Sequence, residues 1–200
     1  FNKKNNASEI LEKFDYLKKE EHSKTVVSVA GRVMTLREMG KASFAHLQDQ
    51  TGRIQIYVRE DQIGEKNYQL FSLLDLGDII GVEGNVARTK TGEVTVFAKK
   101  VELLCKSLKP LPDKWHGLKD VEIRYRKRYL DLIVNPNVKE VFLKRSKIIT
   151  LMREYLDKLQ FVEMETPLLQ TVYGGAAAKP FKTKLNYFDM QVFLSVSPEL

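Results

Sequence analysis

Residues 53–59, RIQIYVR, place Ile54, Ile56 and Val58 at every second position, with Arg53, Gln55, Tyr57 and Arg59 between them. Side chains point to opposite faces with a period of two only in an extended chain, so this stretch suits a strand with one buried face. It does not stand alone. Between Thr25 and Leu108 the runs TVVSVAGRVMTL (25–36), KASFAHLQD (41–49), DIIGVEGNVARTK (78–90) and EVTVFAKKVELL (93–104) have the same β-rich texture. Turns separate them at Gln50-Thr51-Gly52 and Thr91-Gly92. Gly31 interrupts the first run and predicts a bend or bulge. Only GEKNYQLFSLL (64–74) changes period, setting Tyr68, Leu70, Phe71 and Leu74 on one helical face.

Three strands, a helix and two more strands is the element order of the OB-fold, a small Greek-key barrel. Such barrels bind single-stranded nucleic acid on one outer face. The charge balance agrees in sign. The 200 residues carry a formal charge of +7 and a pI of about 9.3, which favours a polyanionic partner. A single cysteine, Cys105, excludes an intramolecular disulfide and a cysteine metal site. It reads as a half-buried thiol on a strand. No apolar run reaches the length of a membrane span and no signal peptide is visible. With the chain opening at Phe1 rather than Met, the true start is expected to be missing or processed, and a reducing, cytoplasmic setting is expected. None of the histidines, His22, His46 and His116, has a sequence partner that marks a base or a metal ligand.

The flanks read differently. Residues 1–24 hold a helix over 8–21, with Ile10, Leu11, Phe14 and Leu17 on one face, Asn6 as cap and Glu9 reaching back to it. Residues 25–108 are the barrel. Residues 109–120, with Pro110, Pro112 and Gly117, are a linker, and 121–200 form a further domain. EIRYRKRYLDLI (122–133) mixes Arg124, Arg126, Lys127 and Arg128 with Tyr125 and Tyr129. It reads equally as a solvated, partly interfacial face or as a hinge that contacts phosphates. Asn135-Pro136 predicts a helix start. Val138, Val141, Phe142, Ile148, Ile149, Met152, Tyr155, Leu156 and Leu159 form that helix's apolar stripe. The helix should stop near Gln160, where glycine is usual. FVEMETPLL then alternates Val162, Met164 and Thr166 with Glu163 and Glu165, a half-buried strand closed by Pro167. Residues 179–197 read as two strands around a turn near Asn186 to Asp189. Between these lies YGGAAAKPF (173–181), nearly bare of side chains. Backbone without side chains is what a close approach to another molecule needs.

Several of these motifs together resemble the class II lysyl-tRNA synthetase family. They are the barrel segment, GLKDVEIRYRKRYLDLI (117–133), LDKLQFVEMETPLL (156–169), and YGGAAAKPF followed by SPEL (197–200). The second and third are shared with the aspartyl and asparaginyl enzymes; the GGAxAKPF form with PEL downstream points to lysine. The resemblance implies an α+β architecture: a five-stranded OB-fold β-barrel, then the start of a class II antiparallel-sheet catalytic domain. It implies that Phe44 stacks on the central anticodon uridine, with Arg37 and Gln55 reading its polar edge. Gly175 would contact the α-amino group of lysine and Glu199 would pair with the same ammonium. Residues 156–169 would build a homodimer interface through Val162, Met164 and Pro167. Gln160 departs from the family's glycine.

The implied activity is ATP-dependent formation of lysyl-adenylate and transfer of the lysyl group to tRNA(Lys). ATP and Mg²⁺ are the implied cofactors, with their ligands beyond Leu200. No catalytic or metal-binding residue is expected in 1–200, no covalent enzyme nucleophile, and no membrane partner. The 200 residues alone are therefore expected not to form lysyl-adenylate, which lysine-dependent pyrophosphate–ATP exchange would refute. Three alternatives stand beside this reading. An aspartyl or asparaginyl enzyme tends to carry SPQL-like residues where SPEL stands here. A non-catalytic OB-fold tRNA binder needs neither the 156–169 segment nor the GGA loop. A lysine-ligating paralogue that modifies proteins lacks the barrel.

Overall fold

A computed structural model describes residues 1–112 and 118–198. His116 and Gly117 of the expected linker, and Glu199, lie outside the described residues. The chain divides into two units, Phe1–Pro136 and Asn137–Leu200.

In the first unit, α1 (Ala7–Lys13) precedes β1 (His22–Met39), β2 (Ala42–Gln48) and β3 (Arg53–Arg59). Two short helices, α2 (Glu60–Ile63) and α3 (Glu65–Ser72), lead to β4 (Ile79–Arg88) and β5 (Val94–Cys105). The strands close into a barrel in the order β1-β2-β3-β5-β4, antiparallel except where β3 meets β5. This is the OB order expected from the pattern. The alternation in β3 does what its period dictates: Ile54, Ile56 and Val58 are buried inside the barrel. Val33, Leu47, Ile80, Val82, Val86 and Val96 fill the same core.

The amino-terminal helix is shorter than expected. Asn6 and Glu9 do form the expected box: the Glu9 carboxylate accepts from the Asn6 backbone N–H at 2.9 Å and from its side-chain amide at 2.8 Å. The helix nevertheless ends at Lys13 rather than near residue 21. Beyond it, Arg88 on β4 donates to the Asp15 carbonyl at 2.6 Å, and the Glu20 N–H bonds the Arg88 carbonyl at 2.9 Å. Contacts with the barrel thus use groups that helix propagation would need. Phe14 and Leu17 are still buried, beyond the helix end.

Gly31 marks a close approach and not the bulge itself. A β-carbon there would lie 2.8 Å from the Gln48 carbonyl oxygen, whereas the register slips between Val33 and Thr35. Cys105 is a second correction: the thiol is exposed. It ends β5, whose last residues run past the core, so that Leu103 and Leu104 are exposed as well.

EIRYRKRYLDLI folds as α4 (Val121–Arg126) and α5 (Arg128–Val134). Asp131 is buried and accepts from Arg124 Nε at 3.0 Å, Arg128 Nη1 at 2.6 Å and Asn135 Nδ2 at 2.6 Å. Burial alone would raise its pKa; the bonds from Asn135 and Arg124 and the nearby arginine charges outweigh that and hold it below the usual carboxylate range. Arg126 pairs with Glu122 at 2.5 Å. The arginines of this stretch therefore neutralise carboxylates of their own segment, in keeping with the reading of a solvated, partly interfacial face.

In the second unit α6 (Pro136–Lys158) begins at the expected proline. Its end shows how a non-glycine residue closes a helix. Gln160 adopts φ 65°, its N–H bonds the Asp157 carbonyl at 2.8 Å, and the Phe161 N–H bonds the Leu156 carbonyl at 3.1 Å. These are the paired bonds of a Schellman motif, with glutamine in the left-handed position. A small antiparallel sheet follows, β6 (Leu169–Gln170), β7 (Lys182–Leu185) and β8 (Met190–Leu194), in the order β6-β8-β7. A 3₁₀ turn at Asn186–Phe188 joins β7 to β8, where a turn was expected.

The expected strand over 161–167 does not form: those residues have no regular structure and are exposed. A strand needs a neighbour to take its N–H and C=O groups, and among the described residues none pairs with this segment. Arg153 reaches it instead, donating to both oxygens of Glu163 at 3.0 and 3.1 Å.

Candidate nucleic-acid interface and glycine loop

The outward positions of β1, β2, β3 and β5 fall into two cross-strand rows. One runs Arg37, Phe44, Tyr57, Phe97, each paired with the next. The other runs Thr35, His46, Gln55, Thr95. Arg37, Phe44 and Gln55 come from separate strands, yet they line one open groove of about 700 Å³. The structure brings these residues together on one face, opposite the apolar core.

The floor of the groove is aromatic. Phe44 stacks on Tyr57 with centroids 4.5 Å apart and planes at 30°. Tyr57 meets Phe97 edge-on at 5.1 Å, and Phe97 meets His22 at 4.9 Å. Offset and edge contacts of this kind fix ring planes. Phe44 therefore presents a held ring surface rather than a mobile one. The guanidinium-bearing Arg37 is exposed at the rim, and Arg88 and Lys90 also line the groove.

Gln55 is held on both sides of its amide. Its nitrogen donates to Glu93 Oε2 at 2.6 Å, and its oxygen accepts from the buried Thr95 hydroxyl at 2.7 Å. The other oxygen of Glu93 is 2.8 Å from His46 Nε2. His46 Nδ1 lies 2.7 Å from the Thr35 hydroxyl, which also accepts the His46 backbone N–H at 3.1 Å. His46 thus has the partners that sequence reading did not find. Tyr57, Phe97, His46 and Glu93 were all missed. The phase of alternation held a signal for the first three, since each shares its outward face with Phe44 or Gln55. Glu93 sits just before β5, where no periodicity applies.

The stretch YGGAAAKPF lies between β6 and β7. Gly175 has φ 93°, a conformation that side chains rarely adopt. Gly174 differs: a β-carbon there would meet nothing within 4 Å. No contact within the described chain demands glycine at that position. Ala176, Ala177 and Ala178 are exposed, so the main chain is accessible from Gly174 onward. Tyr173 packs on Phe193 of β8 at 4.8 Å, and Pro180 is buried, which anchors both ends of the bare segment. Val162 and Met164 are 79% and 76% exposed, and Pro167 is exposed as well.

Among the described residues no group of three or more His, Cys, Asp or Glu side chains is placed to hold a metal ion. No helix among them is long and apolar enough to cross a membrane.

Comparison with known proteins agrees with this layout. Residues 27–104 match the OB-fold nucleic acid binding domain of the tRNA anticodon type, and residues 120–200 match the class II tRNA synthetases (D, K and N). The two matches together place the chain among the class II tRNA synthetases. The similarity to individual proteins is narrower still. The chain is 59% identical over 174 residues to the lysine–tRNA ligase of Pelotomaculum thermopropionicum, covering 87% of this chain and 34% of that one. It is 56% identical over its whole length to that of Thermoanaerobacter pseudethanolicus, covering 39% of it, and 53% identical over its whole length to that of Carboxydothermus hydrogenoformans, covering 40% of it. The chain belongs to the class II lysyl-tRNA synthetase family. It spans about two fifths of the length of the curated relatives it matches.

Proposed function

We propose that the barrel face carrying Arg37, Phe44 and Gln55 binds the anticodon of tRNA(Lys), and that the protein serves ATP-dependent ligation of lysine to that tRNA. The observation that carries the first part is the convergence of a held aromatic ring, a donor-rich guanidinium and an oriented amide in one groove. An unstacked base is recognised by those three chemistries together, a ring to lie on and polar groups for its edge. Tyr57 stacks on Phe44 and Phe97 meets Tyr57 edge-on, which holds the ring in place.

In the ligation, the lysine carboxylate attacks the α-phosphorus of ATP and pyrophosphate leaves. A ribose hydroxyl at the tRNA 3′ end then attacks the lysyl carbonyl, and AMP leaves. The accessible main chain at Gly174 and Gly175 supports a role in holding the α-amino end of lysine, with Glu199 as the paired anion. Mg²⁺ would neutralise the phosphates of ATP. The apolar stripe of α6 and the exposed segment 161–167 support a homodimer: Val141, Ile148, Met152, Tyr155, Val162 and Met164 are all exposed, and a second copy would cover them. The enzyme would work in the cytoplasm.

The anticodon reading is tested by measuring binding of an anticodon stem-loop by fluorescence anisotropy. Phe44→Ala should weaken binding by about 1–3 kcal/mol, the contribution of one base stack, with the barrel's circular dichroism unchanged. Unaltered affinity would refute it.

A further inference from the structure

The second cross-strand row has a use that the anticodon reading alone does not assign. We infer that His46 is a positioning residue for base discrimination: anchored by Thr35, it fixes Glu93, and Glu93 fixes which way the Gln55 amide faces. This rests on the reading of the groove as the anticodon site.

The chemistry follows from donors and acceptors. An ionised carboxylate only accepts. Both oxygens of Glu93 are occupied, one 2.8 Å from His46 Nε2 and one 2.6 Å from Gln55 Nε2. Both of those nitrogens must therefore donate. The ring is oriented from its other side, where Nδ1 lies 2.7 Å from the Thr35 hydroxyl. The Thr35 oxygen is itself fixed by the His46 backbone N–H at 3.1 Å, so the anchor belongs to the ladder and not to a mobile side chain. At the far end the Thr95 hydroxyl, outward-facing yet covered, lies 2.7 Å from Gln55 Oε1 and 3.2 Å from the Glu93 carbonyl oxygen, and can donate to either. Turning the Gln55 amide over would set its carbonyl oxygen against the Glu93 carboxylate, two acceptors with no proton between them. The relay gives the amide one orientation.

That matters for reading a pyrimidine. Uracil presents an N–H donor flanked by carbonyl oxygens; cytosine presents an amino donor beside a ring-nitrogen acceptor. A freely turning primary amide can match either edge, because it carries one donor side and one acceptor side. A pinned amide matches one edge and leaves a polar group unpaired against the other, which is how a hydrogen-bonding site rejects a near-isostere. His46 touches neither base nor phosphate in this scheme. It acts through Glu93, whose side chain is itself 43% exposed and would otherwise be free to swing into the groove.

The test uses the 200-residue chain and two anticodon stem-loops, identical except for uridine or cytidine at the middle position. Wild type should prefer the uridine loop. His46→Ala should lower the uridine-to-cytidine ratio by about fivefold, the loss of roughly one hydrogen bond's discrimination. His46→Gln, which can keep a donor toward Glu93, should restore the ratio, and Thr35→Val should lower it as His46→Ala does. In the proton–nitrogen spectrum the two side-chain N–H signals of Gln55 should be well separated in wild type and converge in His46→Ala. Equal weakening of both loops, with the ratio intact in both His46→Ala and Thr35→Val, would mark a merely structural histidine and overturn the inference. A wild-type chain that shows no preference, or that binds undiminished after Phe44→Ala, fails at the earlier step and removes the anticodon reading itself.

Discussion

Asp49→Asn puts a number on how the amino-terminal helix is tied to the barrel. The Asp49 side chain is 7% exposed. Its Oδ2 accepts from Lys3 Nζ at 2.9 Å and from the Ala7 N–H, at the start of α1, at 3.0 Å. Its Oδ1 accepts from the Thr51 N–H at 2.7 Å, the Thr51 hydroxyl at 2.8 Å and the Gly52 N–H at 3.0 Å. One carboxylate thus holds the β2–β3 turn and the first turn of α1 together. Asparagine keeps one acceptor oxygen. With that oxygen on the turn, its nitrogen faces Lys3 and Ala7, both donors. Two hydrogen bonds to a charged group, at about 1.5 kcal/mol each, are lost; discounting the half-exposed lysine leaves a destabilisation of about 2–3 kcal/mol.

The pH dependence has a definite sign. Burial works to raise the Asp49 pKa, but Lys3, the Ala7 amide and the Thr51 groups overcome it and hold the carboxyl well below its usual range. A depressed folded pKa gives stability that is complete above the unfolded value of about 3.9 and is lost as pH falls toward the folded one. The gap between wild type and Asp49→Asn should therefore be full at neutral pH and narrow below about pH 4. Urea denaturation followed by circular dichroism, with hydrogen exchange at Val82 and Val96 to isolate the barrel, measures it. A gap under about 0.5 kcal/mol at neutral pH, the scatter expected of an ordinary surface change, or a gap that widens in acid, would refute the reasoning.

Gln160→Gly should stabilise the second unit by about 0.5–1 kcal/mol, because the left-handed cost to a side chain exceeds the entropy glycine adds to the unfolded chain; unchanged protection of the last turn of α6 in hydrogen exchange would count against it. Gly174→Ala and Gly175→Ala should separate in type. The first should leave stability unchanged, since its β-carbon meets nothing, while weakening lysine binding to the ligase. The second should cost about 1–2 kcal/mol of local stability from its positive φ. Calorimetric lysine titration and thermal melts distinguish the two.

Much of this was legible in the sequence, for identifiable reasons. Period-two alternation is a local property, so RIQIYVR announced both a strand and its buried face. The fixed φ of proline announced the start of α6 at Pro136. The bare run at 174–178 announced accessible main chain. Other features were not local. The end of α1 at Lys13 was decided by Arg88, far along the chain. Residues 161–167 carry a strand's alternation but have no strand beside them, so their pattern alone could not make one. The candidate site divides the same way. The family resemblance singled out Arg37, Phe44 and Gln55, and the strand register puts all three on outward positions. Only register set His46 across from Gln55 and Tyr57 across from Phe44, and only the β4–β5 turn brought Glu93 to them. Alternation fixes which side a residue faces, because that depends on its immediate neighbours. What stands opposite it depends on how distant strands slide against one another, and that is settled by the closing of the whole barrel.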